Sequence, residues 1–302
     1  MKPQAKATLL ALIAILLWST VATAFKIALN EISVLLTLFY VSLFSTVFLF
    51  VIIVFQNRTS EILNFNRNQV FSSAVLGFLN PFSYYIILFA AYSMLPAQLA
   101  QPLNYTWPVM LVLLSIPILK QKISKLGFIA ILISFFGVVF ISLKDSFSFK
   151  LDNPFGVFLA IISSVFWALF WIYNLKDKRD EVVKLFFNFL FGFIFISILV
   201  LATSEFKMLS LNGLLAVLYI SLFETSITFV LWLKALKLST SSEKISNLVF
   251  ISPFISLIFI HFILGEKIYI TTFIGLTLII IGILFQQYLS FRNRKQINQS
   301  IY

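Results

Sequence analysis

The chain has 302 residues, of which 61% are hydrophobic and 11% charged, with no cysteine and a net charge of +11. That balance excludes a soluble globular domain, disulfides, thiolate nucleophiles and Cys-based metal sites, and leaves an integral membrane protein. Its positive charge flanks apolar runs, which is the mark of membrane topology and not of nucleic-acid binding.

A membrane helix needs about 20 mainly apolar residues. On that measure the fold is all-α, with ten transmembrane helices at 7–28, 34–55, 70–94, 97–118, 125–143, 155–175, 183–203, 212–236, 244–264 and 269–290. The first follows Lys2 and Lys6, and Ala22-Thr23-Ala24 imitates a signal-peptidase site, but the run from Ala7 to Phe25 is longer than a signal core. Only Ser93-Met94-Leu95-Pro96 parts the third span from the fourth, with Pro96 as the breaker. Runs this long do not suit barrel strands. Seventeen of the 22 Lys and Arg precede the first span or follow an even-numbered one, which places both termini in the cytoplasm. Arg292, Arg294 and Lys295 suit a contact with anionic lipid.

The two halves are alike. A shift of 145 residues sets Pro108 on Pro253, Lys122 on Lys267 and Gly137 on Gly282, with ten identities over the 38 positions 103–140. A composition this rich in Ile and Phe gives roughly four by chance. The expected domains are therefore two five-helix repeats, 1–148 and 149–302. Five is odd, so the second repeat is inverted, an architecture of secondary transporters with a site near the midplane.

Spacings of 3, 4, 7 and 11 collect polar and aromatic residues on one face of several spans. The third span carries Ser73, Gly77, Asn80 and Tyr84; the fourth carries Gln98, Gln101, Tyr105 and Pro108, flanked by Asn104 and Trp107. The sixth carries Ser163, Trp167, Trp171 and Asn174, the eighth Ser221, Glu224, Thr225 and Thr228, and the ninth Ser246, Asn247 and His261. Such stripes read as the lining of a shared cavity or, for Ser, Thr and Gly, as tight helix packing. Glu224 stands about twelve residues into its span, roughly 18 Å deep at 1.5 Å per residue. Either it binds a substrate ammonium or a coupling proton, or it is a permanently protonated structural acid bonded to Asn80 or to hydroxyls. His261, near the end of its span, is a second proton-coupling candidate and too far along the axis to touch Glu224. Lys26 reads as a rim residue, and Pro108 and Pro253 as matched helix breaks.

Trp18-Ser19-Thr20 through Lys26, Trp167, Pro253 and Leu264-Gly265-Glu266-Lys267 resemble the pattern of EamA-type members of the drug/metabolite transporter superfamily, along essentially the whole chain. Leu103-Asn104-Tyr105-Thr106-Trp107-Pro108 is similar to a segment of bacterial exporters of aromatic amino acids. Departures are Lys120-Gln121-Lys122 where the second repeat keeps Gly265-Glu266-Lys267, and Tyr40 where the family often has arginine. The resemblance implies a multi-pass protein of a bacterial-type inner membrane, a monomer or weak homo-oligomer. It also implies that Tyr84, Tyr105, Trp107, Trp167 and Trp171 line a substrate pocket. With Asn80, Asn104, Glu224 and Asn247 they form the expected substrate-binding set.

The function expected from these residues is a secondary transporter exporting small metabolites, amino acids or related compounds, by alternating access, with proton coupling at Glu224 or His261. A passive channel, a receptor and a membrane-embedded enzyme are the rivals. A single histidine, no cysteine and no clustered acids leave little for catalysis or metal binding, and no glycine loop for a nucleotide is present. No cofactor is expected.

Overall fold

The computed structural model describes residues 3–63, 66–119, 125–142, 153–203, 208–239 and 248–299, and among them every regular element is helical. The first half contains α1 (Pro3–Glu31), α2 (Val34–Phe55), the short α3 (Thr59–Leu63) and α4 (Arg67–Gly77). A π-helical bulge at Phe78–Ser83 joins α4 to α5 (Tyr84–Met94), and α6 (Ala97–Asn104), α7 (Trp107–Leu119) and α8 (Lys125–Ser142) follow. In the second half come α9 (Pro154–Lys176), α10 (Glu181–Thr203), α11 (Leu211–Phe223) and α12 (Ile227–Leu238). A 3-10 turn at Val249–Ile251 then leads into α13 (Ser252–Leu264) and α14 (Ile270–Gln299).

Six described segments are long and apolar enough to cross a membrane: Pro3–Glu31, Val34–Phe55, Arg67–Met94, Pro154–Asn174, Glu181–Thr203 and Leu211–Ala235. Shorter apolar helices lie at Leu126–Ile141, Val249–Leu264 and Ile270–Phe285. Their outward faces are apolar, with Leu16, Phe71, Ile198 and Phe262 exposed, as lipid requires. Polar side chains set the starts. Ser33 accepts from the Leu36 N–H at α2, Asn66 and Gln69 form a capping box at α4, and Asn153 caps α9 with Pro154 in its first turn. Pro96 separates α5 from α6 as its ring dictates.

Spans expected to be continuous are interrupted at mid-depth. Pro81 pushes the residue before it out of the helical region, so Asn80 sits at φ −152°, ψ 120° inside the bulge. Between α11 and α12 the chain turns at Glu224-Thr225-Ser226, where hydroxyls take carbonyls from the helix ladder. Thr225 Oγ1 donates to the Ser221 carbonyl at 3.0 Å and Ser226 Oγ donates to the same oxygen at 2.7 Å. The turn at Tyr105-Thr106 precedes α7 in the same way, with Thr106 Oγ1 donating to the Leu103 carbonyl at 2.7 Å. Pro108 and Pro253 were expected to break helices; each instead stands in the first turn of the helix after a break, where its missing N–H is harmless.

Packing crosses between the halves. The helix α1 lies against α11, α12 and α13, while α9 lies against α5, α6 and α7. Ser19 on α1 shares a 3.1 Å bond with Ser252, and Ser164 on α9, 145 residues further on, accepts from Thr106 at 3.1 Å. The helices α2 and α10 pack together, as do α8 and α14. At α8 and α14 the backbones touch. A Cβ added at Gly137 would stand 2.4 Å from the Gly275 carbonyl oxygen, and one at Gly282 would stand 2.6 Å from the Ala130 oxygen. Ala130 matches Gly275 and Gly137 matches Gly282 under the 145-residue shift, so the contact is self-complementary.

At one end of the bundle Arg58 pairs with Asp180, and Arg179 binds both Asp177 and Ser73. Partial burial opposes ionisation of Asp180, but hydrogen bonds from Arg58 and from the Val182 N–H outweigh it and hold the carboxyl below its ordinary range.

Candidate functional site

The breaks at Tyr105-Thr106, Glu224-Thr225-Ser226 and Val249–Ile251 converge on a cavity of about 210 Å³, lined from α1, α5, α6, α7, α9, α12 and these turns. Of the expected set, Tyr84, Asn104, Tyr105, Trp107, Trp167, Trp171 and Glu224 line it. Glu224 stands in the turn between α11 and α12 and is 7% exposed. Its Oε1 accepts from the Tyr85 hydroxyl at 2.9 Å, and its backbone carbonyl takes a long 3.4 Å contact from Trp18 Nε1. An ionised carboxylate with a single donor is far from fully compensated at this depth. It calls for a proton or a cationic partner.

The amides beside it are already engaged. Asn104 Oδ1 accepts from Tyr84 at 3.2 Å, Asn104 Nδ2 donates to Ser163 at 2.8 Å, and Gln101 accepts from Ser256. Aromatic rings brace the walls. Tyr84 and Trp167 lie 4.7 Å apart, Trp171 stacks on Phe229 at 5.9 Å, and Trp18 meets Trp232 at 5.3 Å. Rings that fix one another give the cavity a shape that exists before any ligand arrives.

Asn80 was expected beside Glu224 and is not there. It is fully buried outside the lining, with neither amide atom hydrogen-bonded to protein. The cause is the Pro81 bulge, which rotates Asn80 off the face it would share with Tyr84 on a regular helix, and α10 seals that side. A Cβ added at Gly192 would stand 2.4 Å from Pro81 Cγ. His261 is exposed near the end of α13, its Nδ1 3.0 Å from the Glu266 carbonyl, and does not line the cavity. Asn247 lies outside the described residues. Lys26 is half-buried and donates to the Tyr92 carbonyl at 2.5 Å, closing the last turn of α5.

Sequence reasoning missed Tyr85 as the partner of Glu224, and Trp18, Phe25, Tyr92 and Trp232 as lining residues. A signal existed: Trp18, Ala22 and Phe25 keep helical spacing, and Trp232 follows Glu224 by eight residues. The Gly265-Glu266-Lys267 segment acquires a structural account. Gly265, at φ 69°, ends α13, and both Glu266 oxygens accept from the first N–H groups of α6, Ala97 at 2.9 Å and Gln98 at 3.1 Å. Gln98 returns a bond to the Lys267 carbonyl. The corresponding 120–122 lie outside the described residues. Among the described residues no group of three His, Cys, Asp or Glu could hold a metal.

Interrupted helices around a shared, mainly aromatic cavity with one buried carboxylate are features of multi-pass membrane transporters. The EamA-like transporter family matches residues 5–143 and 154–286, and the chain belongs to that family, within the drug/metabolite transporter superfamily. It is similar to an uncharacterized transporter of Acidianus ambivalens, 33% identical over 70% of this chain and 81% of that one. An uncharacterized transporter of Clostridium kluyveri is 31% identical over 55% of each chain, and the uncharacterized transporter YoaV of Bacillus subtilis is 23% identical over 93% and 96%. A solved crystal structure shares the fold, with a TM-score of 0.67 at 20% identity over 95% of this chain and 98% of that one.

Proposed function

We propose that the protein is a secondary transporter exporting small ammonium-bearing metabolites, a class that spans amino acids and related amines, across a bacterial-type inner membrane. The observation that carries this reading is the convergence of matched helix breaks on a cavity with one buried carboxylate. Ten spans form two inverted repeats, 1–148 and 149–302, with both termini cytoplasmic on the placement of Lys and Arg. The exchange of packing partners between halves and the self-complementary contact of α8 with α14 support that layout. Rocking of one set of helices against the other then opens the cavity to each side in turn.

Glu224 binds either the substrate ammonium or a proton, because a carboxylate at this depth does not stay charged and unpaired. That exclusion couples outward movement of substrate to inward movement of protons. Uptake and efflux of labelled amino acids and amines in proteoliposomes, with and without a pH gradient, test it. Wild-type protein should show gradient-accelerated flux, and Glu224→Gln, which keeps the shape and the Tyr85 bond, should lose the acceleration at least tenfold. Flux indifferent to the gradient would make the protein a facilitator. No flux of any such compound through folded protein would end the assignment.

A further inference from the structure

We infer that the substrate is an organic amine cation with an aromatic or bulky apolar body and no carboxylate, a narrowing that rests on the transport reading. All five tryptophans of the chain, Trp18, Trp107, Trp167, Trp171 and Trp232, line this cavity. Indole faces carry negative potential and attract a desolvated ammonium more strongly than any other side-chain ring. Among the described residues Glu224 is the sole formally charged one in the lining, and while Tyr85 holds its Oε1, its Oε2 makes no hydrogen bond there. A cation entering the cavity finds five indole rings and one free carboxylate oxygen.

A carboxylate finds no positive charge there: among the described residues none of the lining is Lys, Arg or His. Lys26 is taken up by the Tyr92 carbonyl and His261 faces outward beside Glu266. The remaining source of positive potential is the start of each half-helix at the breaks. At α7 and α13 a proline stands in the first turn and removes an N–H there, Pro108 in one and Pro253 in the other. The start of α12 lies three residues after Glu224, whose own charge disfavours a second anion. The lining amides Gln101 and Asn104 accept through their oxygens, and Asn104 gives one N–H to Ser163; the N–H groups that remain are neutral and set no charge against that of Glu224. An amino acid would hold its carboxylate by neutral donors alone and in the field of Glu224, which weakens binding relative to the same body without it.

Three ligands that share a phenyl body decide the matter: phenethylamine (ammonium only), phenylalanine (both groups) and 3-phenylpropionate (carboxylate only). Quenching of the intrinsic tryptophan fluorescence of the purified full-length protein reads their binding, since every tryptophan lines the site. Phenethylamine should bind at least tenfold tighter than phenylalanine, and 3-phenylpropionate should not compete. Glu224→Gln should abolish the preference for the amine, and Glu224→Asp should retain it; if either variant fails to fold, the wild-type series stands as the test. Equal or tighter binding of phenylalanine, competition by 3-phenylpropionate, or no binding of phenethylamine each overturns the inference. Selective amine binding without flux in proteoliposomes would leave this assignment standing and remove the transport reading.

Discussion

Asn80 and Thr225 occupy equivalent positions in the two halves, and the backbone is interrupted at both, yet the interruptions end in opposite chemistry. The break at Asn80 is pressed against α10, and its buried amide has no protein partner. At the break beside Thr225, Glu224 is delivered to the cavity, and Thr225 itself shares a 2.5 Å bond with Ser45. An interruption at the same position, made by proline in one half and by hydroxyls in the other, thus serves packing in the first and a binding group in the second. Duplication supplied the geometry twice, and the chemistry was needed once.

Three substitutions can break or sharpen that contrast. The largest effect is expected at the packed break. Gly192→Ala drives a methyl into Pro81 and should destabilise the protein by about 1–3 kcal/mol, read as a lowered melting temperature in detergent with parallel loss of transport. Unchanged stability would show that the first break is not held by packing. At the cavity break, Tyr85→Phe deletes the donor to Glu224 while preserving the ring. A loss of about 1 kcal/mol is expected there, a several-fold change in substrate affinity with stability little altered. The smallest effect belongs to Asn188, a fully buried residue of α10 with an amide that makes no hydrogen bond, beside the first break. Asn188→Leu should leave the melting temperature unchanged or raise it, because an apolar group replaces an unsatisfied polar one. A sharp fall would mean that this amide has a partner the protein needs.

Much of this arrangement is legible in the sequence, and the failures share one cause. Pro96, Ser33 and Pro154 mark span boundaries by local rules that no tertiary contact overrides. Trp167 and Trp171 fall on the cavity because α9 is unbroken and the period of 3.6 holds along it. Where a helix is interrupted that phase is lost. Asn80, placed by spacing on the face of Tyr84, turns away, and Tyr85, one residue off the stripe, reaches Glu224. Hydrophobicity alone did not reveal the breaks, since the turn at Glu224-Thr225-Ser226 has neither proline nor glycine. It arises from hydroxyls that compete for carbonyls, which a count of apolar residues does not register.

The glycine contact between α8 and α14 has a mechanical consequence. Gly137 and Gly275 meet through backbone atoms, so a small rotation of one helix on the other changes no rotamer at that point. Elsewhere the halves interlock through aromatic rings, Trp18 with Trp232 and Tyr84 with Trp167, that must unlock before they slide. The glycine surface turns like a smooth bearing, whereas the ring-locked surfaces behave as ratchets.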